Sequence, residues 1–160
     1  MGVLLSFWAV AFLRYRRPVS DDPHDLARFI EAQAGIYETA LAELRAGHKH
    51  THWMWFIFPQ VKGLGSSWNS TYYGIGSSAE ARAYLEHPVL GGRLVECTAA
   101  LLEHDGVSAA AIMGPVDALK LRSSLTLFSA VSSAGSVFHR GLELFFGGEP
   151  DERTLAIVDG

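Results

Sequence analysis

The chain has 160 residues, 49% apolar, 19% charged and 11% aromatic, which is the composition of one folded domain rather than of a disordered or fibrous chain. The 13 lysines and arginines against 17 aspartates and glutamates leave a net charge of -4, which excludes broad attraction to nucleic-acid phosphates or anionic lipid. A single cysteine, Cys97, rules out an internal disulfide and any Cys-x-x-Cys metal or redox pair, and a reducing cytoplasm fits that usage.

Residues 3–13 are an apolar run closed by Arg14, Tyr15, Arg16, Arg17 and Pro18. The run is short of the roughly 20 residues that cross a bilayer, and the charge follows the apolar stretch, the reverse of a secretory signal. Residues 1–18 hold three of the 13 basic residues and no acid, so the remainder has net charge -7. Two readings stand: a native start near Val19, or an interfacial anchor in which Phe7, Trp8 and Phe12 dip into lipid. Residues 1–20 are therefore set apart from a single domain over 21–160.

From Asp22 the helical period dominates. Asp22 caps, Pro23 takes the first turn, and Leu26, Phe29, Ile30, Gln33, Tyr37, Leu41 and Leu44 recur at three- and four-residue spacing until Gly47, predicting one amphipathic helix. His48, His50 and His52 lead into the apolar run 53–58, too short for periodicity to assign. Residues 63–70 read as a Gly- and Ser-rich loop. Ser77 with Glu80 predicts a capped helix, Pro88 restarts another to Gly106, and Ser108 caps a short one. Pro115 opens a helix to about Val131, Ser136 another, and Pro150 the last. The expectation is a mainly α, compact multi-helix bundle with short connections.

The segment from Asp117 to Val131 concentrates the candidate chemistry. Its apolar residues spread almost all the way round a helix, as in a helix surrounded by protein. Asp117, Lys120 and Ser124 nonetheless fall within about 60° of one another on the wheel. Buried charges need partners or a wet recess, so the strip is either a pocket wall or a solvated first turn. Arg122 and Ser123 extend it. His52, beside Trp53 and Trp55, is a candidate acid, base or donor. Trp55, Trp68, Tyr72 and Gln60 are candidate ligand contacts, since rings stack on bases or sugar faces, although core packing accounts for Trp53 and Trp55 equally well. The three histidines could begin a metal site, but no carboxylate or thiolate in their segment completes one, and neither a metal nor a cofactor is assigned. Cys97, on an apolar helical face, reads as inert core.

Four strings carry a resemblance: Phe29-Ile30-Glu31-Ala32-Gln33, His52 to Gln60 with Gly63-Leu64-Gly65, Ala83 to Gly91, and Lys120 to Phe128. They resemble the bacterial domain-of-unknown-function 1810 family, from about Asp22 to the end. The resemblance implies a compact, mostly helical fold and no assigned activity. The label calpastatin that some relatives bear is set aside, because that inhibitor is a disordered repeat protein. A looser, fold-level likeness is to the NADAR proteins, which act on ADP-ribose and related N-glycosides; it implies Glu31 or Asp117 at an oxocarbenium-like sugar centre, with Lys120 and Arg122 on phosphate.

The functional expectation is a cytoplasmic small-molecule protein acting on a nucleotide or ADP-ribose-type N-glycoside. Glu31, His52 and Asp117 would be its catalytic groups, and Trp55, Gln60, Trp68, Tyr72, Lys120, Arg122, Ser123 and Ser124 its binding groups. The alternative is a non-catalytic module that meets a protein partner through the aromatic loop 63–73. Co-location separates the two: the enzyme needs His52, Asp117 and Lys120 on one cavity, the module an exposed apolar patch around Trp68.

Overall fold

The computed structural model describes residues 21–160, so the apolar and basic segment, with both readings of it, lies outside the described residues. Those residues form α1 (Ala27–Gln33), α2 (Tyr37–Ala46), α3 (Met54–Ile57), α4 (Trp68–Tyr72), α5 (Ser78–Glu86), α6 (Leu90–Leu102), α7 (Ala109–Met113), α8 (Pro115–Ala130), α9 (Val137–Phe146) and α10 (Glu152–Val158). The fold is all-α. An isolated parallel bridge joins Val61 to Ile75. No helix among the described residues is long and apolar enough to cross a membrane.

Local chemistry explains most of the boundaries. Ser77, Ser108 and Ser136 accept the backbone N–H three residues on, from Glu80, Ala111 and His139, and Pro115 fills the first position of α8, where no N–H is needed. Three expectations need correction. The single helix over 22–47 is two, because Gly35 adopts φ +74°, a left-handed conformation that a right-handed helix cannot propagate. Within 63–70, Ser67 accepts the Ser70 N–H at 3.1 Å and starts α4, so capping chemistry sits inside an apparent loop. The final helix begins after Asp151, whose carboxylate accepts from Thr154, rather than at Pro150. The ambiguous run 53–58 is the short helix α3 with its flanks.

Helix α8 packs against α5, α7, α9 and α10, while α6 packs against α2, α5 and α9. Only its C-terminal half is surrounded: every residue over 123–129 is buried, whereas Val116 and Leu119 are each 65% exposed. Phe29, Trp53, Phe58, Tyr84 and Phe128 are fully buried, and each stabilises the fold by roughly 2–3 kcal/mol or more of transfer free energy. Gln33, buried among them, donates to the Phe56 carbonyl at 2.8 Å and to the Tyr84 hydroxyl at 3.2 Å, and accepts from Arg93 at 3.2 Å. Its amide therefore ties α1 to α3, α5 and α6.

Buried Arg28 does the same for the loop that carries α4. Its guanidinium donates to the Tyr72 carbonyl at 2.9 Å and the Gly74 carbonyl at 3.2 Å, and pairs with Glu80 at 2.5 Å. The Ile75 N–H donates to the Gln60 carbonyl and the Lys62 N–H to the Ile75 carbonyl. The segment between residues 62 and 74 is thus clamped at its base, with α4 held out from the core facing the first turns of α8.

Candidate functional site

Between α4 and the start of α8 lies a cavity of about 300 Å³. Trp55 of α3, Gln60 and Gly74 form its base; Asn69, Ser70 and Tyr73 line one wall. Val116, Leu119, Lys120 and Ser123 of α8 line the other, and Arg122, Asp151 and Arg153 close the far end. Five residues expected at a site therefore meet here: Trp55, Gln60, Lys120, Arg122 and Ser123.

Each charge in the cavity has a visible support. Lys120 Nζ lies 3.9 Å from the centre of the Trp55 ring and 3.2 Å from Asp117 Oδ1. The second Asp117 oxygen takes Lys49 Nζ at 3.0 Å. Burial alone would raise the Asp117 pKa, but the two ammonium groups outweigh it and hold the carboxyl below its ordinary value. Asp117 thus stands behind the cavity wall as an ionised brace for Lys120. Arg122 donates Nε to the Glu149 carbonyl and Nη2 to the Pro150 carbonyl. Arg153 donates Nη2 to the Leu64 carbonyl at 3.2 Å and has no ion pair among the described residues. Asp151 Oδ2 accepts from the Thr154 N–H and hydroxyl and from Ser123 Oγ. The side-chain amides of Gln60 and Asn69 make no hydrogen bond among the described residues, leaving donors and acceptors free at the cavity. Arg153 and Asp151 escape a sequence reading because nothing local distinguishes them, whereas Asn69 and Tyr73 belong to the aromatic loop 63–73 that the sequence offered as a partner surface.

Other expected residues lie elsewhere. Glu31 is exposed on α1, in a separate groove with Asp22 and His87. His52 is exposed and does not line the cavity. Trp68 and Tyr72 stack on each other at 4.6 Å just outside the α4 wall. Ser124 is buried on the inner side of α8, and its hydroxyl has no hydrogen-bond partner among the described residues. Ser124→Ala is therefore expected to leave the melting temperature unchanged or raise it, by about 0–1 kcal/mol equivalent, since an unpaired buried hydroxyl is removed and helix propensity rises; a thermal melt checks this. Cys97 is buried, which pushes its thiol up to about 12, and it is inert at neutral pH.

The histidine segment is organised by a different residue. Buried Glu43 of α2 accepts from the His50 N–H at 2.9 Å, the Thr51 N–H at 3.2 Å, Thr51 Oγ1 at 2.7 Å and Trp53 Nε1 at 2.8 Å. His48 and His50 stack face to face at 4.3 Å on the outside. No group of three His, Cys, Asp or Glu side chains among the described residues is placed to hold a metal ion.

With that geometry in view, comparison with known proteins is informative about kinship. The model of the family described as "Protein of unknown function (DUF1810)" matches residues 23–158. The chain belongs to this family. A solved member-like structure, the conserved hypothetical protein Rv1873 from Mycobacterium tuberculosis, is 50% identical, with a TM-score of 0.85 over 87% of this chain and 99% of that one. No curated protein matches. In this DUF1810 chain two of the strings singled out in the sequence meet at the cavity. The His52 to Gln60 string supplies the Trp55 and Gln60 of the cavity and the Trp53 that seats on Glu43, while the Lys120 to Phe128 string supplies the facing wall and the core behind it.

Proposed function

We propose that the chain binds a small phosphorylated molecule, of the sugar-phosphate or nucleotide kind, in the cavity between α4 and α8. The observation that carries this is the clustering of three cations: Lys120, Arg122 and Arg153 line the cavity with Asp151, and although Lys120 also meets Asp117 and Arg122 meets Glu149 at 3.5 Å, Arg153 has no ion pair among the described residues. Asp151 is already engaged at the α10 cap. Guanidinium forks suit phosphate oxygens, and the unengaged amides of Gln60 and Asn69 suit sugar hydroxyls or a ring edge. The volume sits at the small end of the roughly 300–1,000 Å³ typical of ligand sites.

Binding is favoured over N-glycoside hydrolysis. Cleavage through an oxocarbenium-like centre needs a carboxylate beside the sugar, and Glu31 is remote, Asp117 is held by two lysines, and Asp151 is committed to its cap. The exposure of Trp68 favours a second reading, a protein-binding surface on 63–73.

A thermal-shift series with inorganic phosphate, ribose 5-phosphate, AMP and ADP-ribose tests the proposal. A ligand present at about 100 times its Kd raises stability by about 2.7 kcal/mol, a shift of several degrees that added salt weakens. Lys120→Met should remove the shift while the free protein still folds, because Lys49 continues to neutralise Asp117. Absence of any phosphate-dependent shift, or one unaltered in Lys120→Met, counts against the site.

A further inference from the structure

The two aromatic rings that line the cavity already have close neighbours. The Lys120 ammonium covers Trp55 at 3.9 Å. Tyr73 is boxed by Phe29, Phe56, Tyr72 and Trp68, with centroids 5.9, 5.5, 4.8 and 6.3 Å away. The face left open belongs to Trp68, which is 68% exposed although Tyr72 stacks on it with planes 13° apart. Trp68 does not itself line the cavity, but it precedes the cavity-lining Asn69 on α4 and its ring centre lies 6.3 Å from that of the cavity-lining Tyr73, so it adjoins the α4 wall. On the α8 side Val116 and Leu119, one turn apart, line the cavity and are each 65% exposed. Polarity is therefore graded: exposed apolar surface on the first turns of α8 with an exposed indole beside the α4 wall, and cations on the second turn of α8 and on α10.

We propose that the bound molecule is a nucleotide, oriented with its phosphate toward Lys120, Arg122 and Arg153 and its base at the mouth, between the outer face of Trp68 and the apolar turn of Val116 and Leu119. This rests on the phosphorylated-ligand reading above and narrows it. Trp68 is then the residue that separates nucleotides from plain sugar phosphates, because a base gains stacking and loses apolar exposure there, while a ribose phosphate gains neither. The stacked Tyr72 holds the indole plane in position, so little rotamer freedom is lost on binding. The orientation also leaves the far edge of the base in solvent, so that base identity is read weakly.

Titration of the full-length protein with AMP and with ribose 5-phosphate, followed by calorimetry and tryptophan emission, tests this. Stacking predicts AMP binding about tenfold or more tighter than ribose 5-phosphate, with quenched emission. Trp68→Ala should bring AMP to within about threefold of ribose 5-phosphate and leave the latter unchanged, and Trp68→Phe should restore part of the preference. Leu119→Ser, at an exposed position, should weaken AMP alone. Equal affinity for the two probes, or an equal loss for both in Trp68→Ala, overturns the base clamp while the phosphate site stands. If neither probe binds, the phosphorylated-ligand reading fails and the clamp with it; a Trp68 surface that serves a protein partner gives that outcome.

Discussion

Gly91→Ala is expected to cost about 3–5 kcal/mol and to leave little folded protein at 37 °C, whereas Gly92→Ala, one residue on, is expected to be neutral or stabilising by up to about 1 kcal/mol. Both glycines lie in the first turn of α6, where alanine is the better helix former, so propensity predicts the same sign for both. Packing separates them. A methyl on Gly91 would stand 1.9 Å from the Leu85 carbonyl oxygen and 2.7 Å from its carbon, whereas one on Gly92 meets nothing within 4 Å. The obstacle is the backbone of α5, which no rotamer change relieves, so α6 must move off α5. The connection between them is taut: His87 Nδ1 accepts the Val89 and Leu90 N–H groups at 3.1 and 3.2 Å. Moving α6 disturbs fully buried Tyr84, Leu90 and Leu94 together. Urea unfolding of the two variants side by side checks the contrast; equal stabilities would mean that α5 and α6 can part without loss.

That close approach also explains what in this chain can and cannot be read from sequence. The caps at Ser77, Ser108 and Ser136 are legible because a cap is decided within three residues. The break at Gly35 is not, because the apolar spacing on both sides stays in phase and only the backbone interrupts it, with Ala34 at ψ 120° and Gly35 left-handed. Asp117 and Lys120 do meet, as their helical spacing implies, but Ser124 on the same strip is buried: a wheel has no information on where a helix dives into the core. The cavity itself draws on Trp55, Tyr73, Lys120 and Arg153, which are far apart in the sequence, and depends on how Arg28 and the Val61–Ile75 bridge hold α4 away from α8. No local pattern encodes that gap. Glu31 is the opposite case, a residue placed at the site by analogy alone, whose neighbour Gln33 has a purely structural task.

Glu43 gives the second large effect and a pH signature. A glutamate on an amphipathic helix reads as surface, yet here it is buried beneath fully buried Trp53. Burial alone would raise its pKa, but four donated hydrogen bonds from His50, Thr51 and Trp53 outweigh that and hold it at about 2, against an ordinary 4.5. Because the folded value is the lower one, its contribution is complete above pH 4.5 and is lost as pH falls toward 2. A depression of that size corresponds to about 3 kcal/mol. Glu43→Gln keeps an oxygen for three of the four donors, and the Thr51 hydroxyl can turn to accept from the new amide. The variant should therefore lose about 2 kcal/mol at pH 7 and should flatten the acid limb of the stability curve between pH 4.5 and 2. Glu43→Leu strands the His50 and Thr51 N–H groups and the Trp53 indole N–H, and should cost about 4 kcal/mol. Urea midpoints from pH 7 down to 2.5 measure both effects. An acid limb in Glu43→Gln as steep as in the parent protein would transfer that stability to other carboxylates. Because this carboxylate also sets the course of the backbone that delivers Lys49 to Asp117, the loop behind the cavity and the charge within it depend on one buried anion.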